Sequence, residues 1–356
     1  MKHLLSILFF LLTLPVFAQE PAKGAESAGA FNPGEVILHH VADSHEWHWF
    51  STDNGNFVSY FPVIAYQPSK GVSMFSSEKI AEGKSYENLK LEQEHLTTLD
   101  GSKVYDFSIT KNVAALIMSS LVLVIVFTSV ARGYRRRVGQ APTGLQSFLE
   151  PFVVFIRDEV AKKSIGPKYE RYMPYLLTVF FFIWFNNLLG LTPGAANLTG
   201  NVAVTAMLAI LTLIVTLFSS NKAYWSHIFW TPGVPLWLRP IMIPVELASV
   251  FIKPISLTIR LFANITAGHI IILSFISLIF IFRSPWTGFL SVPFGLFISV
   301  LELLVSILQA YIFTLLTAMY IGGAVEEHHE DDLGTAEQSH GGSNLGHLTR
   351  SDVANH

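Results

Sequence analysis

The last apolar block of this 356-residue sequence carries a few ionisable residues in a regular pattern. Glu246, Lys253 and Arg260 recur every seven residues. On an α-helix, positions i, i+7 and i+14 stay near one face. Ser256 and Asn264 stand four residues to either side of Arg260 and share that face, with Ala263 and Ala267 near it. The face is polar, and its small side chains let another helix come close. Arg260 falls near the middle of its segment, and so near the midplane of a bilayer that the segment crosses. A cation there costs from ~3 to above 10 kcal/mol, so it is functional by default and needs a partner.

Residues 241–324 are broken near Arg283-Ser284-Pro285, which predicts two antiparallel helices. Residues equidistant from the break become neighbours. His269 is 16 residues before Pro285 and Glu302 is 17 after it, so the two lie level. Arg260 and Gln309 lie level in the same way, 25 before and 24 after. Arg260 and His269 are about half a turn out of phase at ~100° per residue, so they need not share a cavity. Glu302 and Gln309 are a heptad apart and share a face. A histidine and a glutamate at membrane depth can trade protons near neutral pH. Two arrangements are open. In one, Glu302 neutralises Arg260 and locks two helices, which leaves His269, Glu246 and Lys253 without a role. In the other, Arg260 faces a carboxylate on another subunit. His269 with Glu302, and Glu246 with Lys253, then line aqueous routes to opposite sides.

Long membrane helices must hold these groups, and the composition supplies them. Only 14% of the residues are charged, against about 25% in a soluble domain. Between Lys111 and Arg132 lie 20 uncharged residues, enough to cross a ~30 Å hydrocarbon core. Between Arg171 and Lys222 lie 50 more, interrupted at Asn186-Asn187 and from Thr192-Pro193-Gly194 to Asn201. They read as two spans, near 173–191 and 202–220. Segments 241–282 and 286–324 bring the count to five. Each of these two would extend about 60 Å at ~1.5 Å per residue, twice the core, so they tilt, kink or project. Pro254 offers one kink. The expected fold is therefore an all-α integral membrane protein with about five transmembrane helices. The last two form a long tilted hairpin, and a small β-rich exported domain precedes the helices.

Residues 1–18 have the layout of a secretory signal: Lys2 and His3, an apolar run from Leu4, and small residues before a cleavage point after Ala18. Residues 19–110 form the exported domain, with alternating runs at Asn56–Phe61 and Lys103–Ile109 that suggest half-buried strands. His39, His40, His45 and His48 cluster at its start in no strong ligand spacing, which favours a packed or solvated loop over a metal site. The loop 132–171 holds nine Lys/Arg, including Arg135-Arg136-Arg137, and so faces the cytoplasm. Residues 111–324 form the membrane domain. Residues 325–356 are a cytoplasmic acidic tail for which disorder is expected, with Glu326, Glu327, Glu330, Asp331 and Asp332 around His328 and His329. The stretch Phe148–Val160 is amphipathic; it packs, lies on the membrane surface or meets a peripheral stalk.

The segment Lys253-Pro254-Ile255-Ser256-Leu257-Thr258-Ile259-Arg260-Leu261-Phe262-Ala263-Asn264, with Ala267-Gly268-His269 after it, resembles the signature helix of subunit a of F-type ATP synthases. Leu308-Gln309-Ala310-Tyr311-Ile312-Phe313 resembles that family's final-helix motif. The likeness runs from about Ile109 to Glu327. It implies a proton-translocating stator subunit of the F0 sector, working against a ring of c subunits beside the peripheral stalk b subunits and the rest of the F1F0 complex. Arg260 matches the arginine that faces the ring. His269 and Glu302 match the pair lining the half-channel on the exported side, and Gln309 the glutamine beside the arginine. Glu246, Ser256 and Asn264 match polar positions along the same helix. Many bacterial members carry an acid where His269 stands and a histidine where Glu302 stands; the two are exchanged here, as in mitochondrial relatives. The exported segment is longer than the family's common form. The expected location is the bacterial inner membrane, multi-pass, with the N-terminal domain exported and the C-terminus cytoplasmic.

Other functions fit less well. A net charge of −3 shows no basic field, so no nucleic-acid partner is expected. The absence of cysteine removes thiol catalysis, thiolate metal sites and disulfides. No Gly-x-x-x-x-Gly-Lys loop is present, so no chemistry on ATP is expected of this chain. No cofactor or metal is expected either. An ion-coupled secondary transporter is the alternative, but no internal repeat is visible. A haem-bearing subunit needs histidines inside its spans, and His269 stands there alone. A binding module on a membrane anchor leaves Arg260 unexplained.

Overall fold

The computed structural model describes residues 43–325, except 53–54, 69, 93–94, 137–138, 193–195, 231–234, 236 and 283–284. The expected signal peptide, His39, His40, Arg137, Arg283 and the acidic tail from Glu326 lie outside the described residues.

Short strands form first. They are β1 (Glu46–Thr52), β2 (Gly55–Tyr60), β3 (Pro62–Gln67), β4 (Gly71–Ser76), β5 (Ser85–Tyr86), β6 (Leu89–Glu92), β7 (His95–Thr98) and β8 (Tyr105–Asp106). All pairings are antiparallel, in three small sheets ordered β1-β2, β4-β3-β8 and β5-β6-β7. Alternation decides the faces: Val63, Ala65 and Gln67 point inward while Tyr66 points out. Val63, Ala65, Phe75, Ile80, Leu89 and Leu96 make the local core. The two residues between β5 and β6, Glu87 and Asn88, both take positive φ (51° and 70°). That conformation matches the twist of a two-residue hairpin, and Asn88 is at home in it. The alternation at Lys103–Ile109 yields only a two-residue strand. Phe107 and Ile109 still bond along β3, through the carbonyls of Ile64 and Pro62.

This strand domain is fastened to the first helix, α1 (Lys111–Arg136). Asp43 accepts hydrogen bonds from the Thr110 hydroxyl (2.9 Å) and the Asn112 amide (3.1 Å), so it supplies an N-terminal cap from 69 residues away. The Lys111 amide donates to the Ser44 carbonyl at 2.8 Å. His45, buried, meets Asp106 at 3.0 Å. Burial works against the Asp106 charge, but hydrogen bonds from His45 and Ser108 outweigh it and hold the carboxyl at about 2. Because that value is depressed, the pair's contribution is complete above the ordinary 3.8 and is lost as pH falls through about 2. His45 is thus a packed, paired residue.

Among the described residues, five helices are long and apolar enough to cross a membrane, as expected from the charge gaps. After α1 come α2 (Leu145–Phe155), a π-helical turn (Ile156–Ala161), α3 (Lys162–Ile165) and α4 (Tyr169–Gly190). A 3-10 turn (Leu198–Gly200) leads into α5 (Val202–Ser219), whose first turn is capped by Asn201. A short helix α6 (Lys222–Phe229) precedes the two long ones, α7 (Arg239–Phe282) and α8 (Pro285–Val325). At 44 and 41 residues they are about 66 and 61 Å long at ~1.5 Å per residue. Helix α7 runs through Pro254, whose missing N–H leaves the Val250 carbonyl without its usual donor.

The amphipathic stretch Phe148–Val160 packs against the helical core: Leu149, Ile156, Val160 and Ala161 are buried with Phe180, Ile183, Phe313 and Ile321. The approach is closest where Gly322 of α8 meets the carbonyl of Ser164, leaving no room for a Cβ. The neighbouring Gly323 has open space. Gly322→Ala should therefore destabilise the subunit by about 1–3 kcal/mol through overpacking, while Gly323→Ala should leave it unaffected. Thermal stability of the purified complex, read through dissociation of this subunit, compares the two.

Candidate functional site

The long helices α7 and α8 pack antiparallel, and a ladder of side chains sets their register. Near the connection, Phe275 stacks on Phe294 at 5.6 Å with 16° between ring planes. One level deeper, His269 Nδ1 faces Glu302 Oε1 at 2.9 Å. Next, Asn264 Nδ2 donates to Gln309 Oε1 at 2.8 Å. Deepest, Lys253 Nζ lies 5.3 Å from the centroid of the Tyr320 ring. The structure thus brings together the two residues that equidistance sets level. It differs at Gln309, which bonds Asn264, one turn on from Arg260. The helices drift slightly out of equal count along their length, and four residues, one turn, is the resulting offset.

The His269–Glu302 pair is enclosed. The two side chains keep only 12% and 3% of their exposure. Neither Glu302 oxygen receives a hydrogen bond of good geometry, although His269 is within ion-pair range. Removing one partner of such a buried pair leaves the other uncompensated, at a cost of about 3–5 kcal/mol.

Gly268 makes this possible. A Cβ there would stand 2.6 Å from Glu302 Oε1 and 2.9 Å from Cδ. The carboxylate lies over the bare α7 backbone. The spacing of charges gives Gly268 no role, but its place in a helix is a clue. A mid-helix glycine costs about 1 kcal/mol against alanine, so it asks for a packing reason.

A second polar network, also without a role from sequence, braces α8 beside the pair. The Thr199 hydroxyl donates to Asn187 Oδ1 at 2.7 Å. Asn187 Nδ2 donates to the Ser306 carbonyl at 3.2 Å. The Ser306 hydroxyl donates to the Glu302 carbonyl at 2.9 Å. All four residues are buried. Asn186-Asn187 reads in sequence as an interruption of a span; in the fold both are buried on the last turn of α4.

Arg260 is placed differently. It is half-buried, and no ion pair involving it occurs among the described residues. Glu302 does not neutralise it, because Glu302 is with His269. Leu257, Leu261 and Ile265 bury one face of α7, while Ser256, Ala263 and Ala267 remain exposed beside Arg260. The described helices of the chain leave that face uncovered. Lys253 and Tyr320, with Thr212, Thr216 and Tyr224, line a narrow cleft between α5, α7 and α8. Glu246 is half-buried further along α7. Burial and the nearby Glu246 charge both push the Tyr224 phenol above its ordinary value.

The chain matches the ATP synthase A chain family over residues 114–322. It is 40% identical to ATP synthase subunit a of Pelodictyon phaeoclathratiforme over 326 residues, covering 89% of this chain and 84% of that one. It is 45% identical to that of Chloroherpeton thalassium over 243 residues, 66% and 72% of the two chains. The same subunit of an Anaeromyxobacter species is 40% identical over 88% of this chain and 76% of its own.

This chain belongs to the ATP synthase subunit a family. As a subunit a, it is a multi-pass membrane protein and a component of the F1F0 complex. The family match begins at residue 114, inside α1, so the whole strand domain precedes it. Residues 36–115 match a separate family described as a domain of unknown function.

Gly268→Ala should push the Glu302 carboxylate off the α7 backbone and away from His269. Proton transport by the assembled complex should fall, while assembly itself is kept. ATP-driven acidification of membrane vesicles measures the first, and copurification of the remaining subunits measures the second.

Proposed function

We propose that this subunit conducts protons as the stator of the F0 sector, through two half-channels separated by Arg260. The observation that carries the reading is the division of ionisable groups in the α7–α8 pair. His269 faces Glu302 at 2.9 Å, and Arg260 stands beside a face that no described residue of this chain covers. An unpaired arginine at membrane depth needs an acid from elsewhere. Each c subunit of a rotor ring supplies one. The small residues Ala263 and Ala267 give that rotor room to approach.

The mechanism follows from electrostatics. A rotor carboxylate opposite Arg260 is favoured as the anion, because a nearby positive charge lowers an acid's pKa. It gives its proton to the cytoplasmic route, near Lys253 and Glu246. It is reloaded from the exported route, through His269 and Glu302, before it turns into lipid, where the charged form is costly. Asn264, Gln309 and Ser256 keep the intervening surface polar. The fixed charge of Arg260 also stops protons from passing directly between the routes. Each crossing yields about 2.3 kcal/mol per 100 mV. This chain performs no chemistry on ATP. It sits in the bacterial inner membrane with the strand domain exported and the basic loop 132–171 and the C-terminus cytoplasmic. The c ring and the peripheral stalk b subunits are its neighbours.

Arg260→Ala should abolish coupled proton transport without loss of assembly. Normal ATP-driven acidification by that variant overturns the reading. Exchanging the residues at 269 and 302 should preserve more activity than losing either one. A double exchange as inactive as both single losses speaks against their acting as a pair.

A further inference from the structure

The strand domain has no role in the mechanism above, yet it is joined to the site by a continuous run of contacts. The run begins at Trp47, the second residue of β1, which is 4% exposed. Its indole does not lie in the core of the strand domain. It sits with Ala115 of α1 and with Ala196 and Leu198, next to and within the 3-10 turn before α5. Phe61 backs it from the strand side, with ring centroids 6.4 Å apart. The turn in question packs against α1, α4, α5 and α7. Its middle residue, Thr199, is the donor to Asn187, whose amide holds the Ser306 carbonyl. Ser306 in turn bonds back to Glu302.

We propose that the strand domain is a brace for the proton-entry site, and that Trp47 is its positioning residue. Seated between α1 and the Leu198–Gly200 turn, Trp47 holds Thr199 on Asn187 and so fixes the segment of α8 that presents Glu302 to His269. Two features make the seat specific. Ala115 and Ala196 are small, so the indole fits between a helix and a turn without displacing either. The base of the brace is tied down by charge and hydrogen bonding: Asp43 caps α1, and His45 pairs with Asp106. The turn, by contrast, has apolar contacts and one side-chain link to α4. Loss of the indole therefore frees the turn before it frees the domain. Asn187 Oδ1 then loses its donor, the Thr199 hydroxyl, while buried, and an orphaned buried amide oxygen drives rearrangement toward water. The inference rests on the stator reading only where it assigns His269 and Glu302 to the exported route.

The test uses the whole complex in liposomes, carrying Trp47→Ala, Trp47→Phe, Leu198→Ala or Arg260→Ala. Trp47→Ala should lower passive proton conduction through F0 by about 3- to 10-fold, less than the ~100-fold that a full 1 Å misplacement can cost. It should also shift the dependence of conduction on pH at the exported face and leave the dependence at the cytoplasmic face unchanged. Trp47→Phe keeps an aromatic ring in the seat and should recover most of the loss. Leu198→Ala opens the seat from the other side and should reproduce the shift even where Trp47→Ala fails to assemble. A second readout does not involve conduction. The chain contains no cysteine, so Thr199→Cys gives this subunit one thiol at a position that is fully buried. A water-soluble maleimide should label it only when Trp47 is also replaced by alanine. Unchanged conduction with no labelling in the Trp47→Ala background overturns the brace, as does an equal change at both faces. Coupled transport by Arg260→Ala overturns the stator reading itself. Loss of coupling in Arg260→Ala with a silent Trp47→Ala removes the brace alone.

Discussion

An ionisable side chain inside hydrocarbon must have a partner, and that constraint organises this molecule. The antiparallel pair α7–α8 is where it is met. Glu302 is 3% exposed and faces His269 at 2.9 Å; without that contact a carboxylate would be stranded in a low-dielectric layer. The rest of the hairpin is arranged to preserve this register. Phe275 on Phe294 holds it on one side of the pair, and Asn264 on Gln309 holds it on the other. Gly268 leaves the space that the Glu302 carboxylate occupies against α7 at that level.

The two halves of α8 answer to different surroundings. Its C-terminal half is buried along Ser306, Gln309, Ala310, Phe313, Thr314, Thr317 and Ile321, against α4, α5 and the α2–α3 segment. Its N-terminal half exposes Trp286, Phe289, Leu290 and Phe294. Such surface is tolerable only in lipid or against a neighbouring chain. Glu302 lies at the border between these two halves and is itself buried. Of the buried threonines of α5 and α8, Thr205, Thr212, Thr216 and Thr314 bond back to carbonyls of their own helices, while the Thr317 hydroxyl has no partner among the described residues.

The N-terminal strands show the same economy in a different solvent. Their core is small, so they lean on the membrane domain: Asp43, Ser44, His45 and Trp47 all contact α1 or the residues that lead into it. A domain of this size gains stability by sharing a boundary rather than by enlarging its own core. The shared boundary also links it mechanically to the turn that carries Thr199.

Much of this was legible in the residues themselves. Five spans follow from gaps between charges, because a charge in hydrocarbon is too expensive to be accidental. The level pairing of His269 with Glu302 follows from counting outward from Pro285, because two helices of equal rise keep step over a few turns. What counting does not supply is phase and small drift. Only the packed structure decided that Glu302 faces His269, that Arg260 has no ion-pair partner among the described residues, and that Gln309 bonds Asn264. Only it showed that Phe148–Val160 is packed rather than free. Asn187, Thr199 and Trp47 give no sign of their roles in sequence, and Gly268 only the cost of a mid-helix glycine, for one physical reason. Each acts on an element distant along the chain, and a glycine, an amide, a hydroxyl or an indole carries no local mark of the neighbour it will meet.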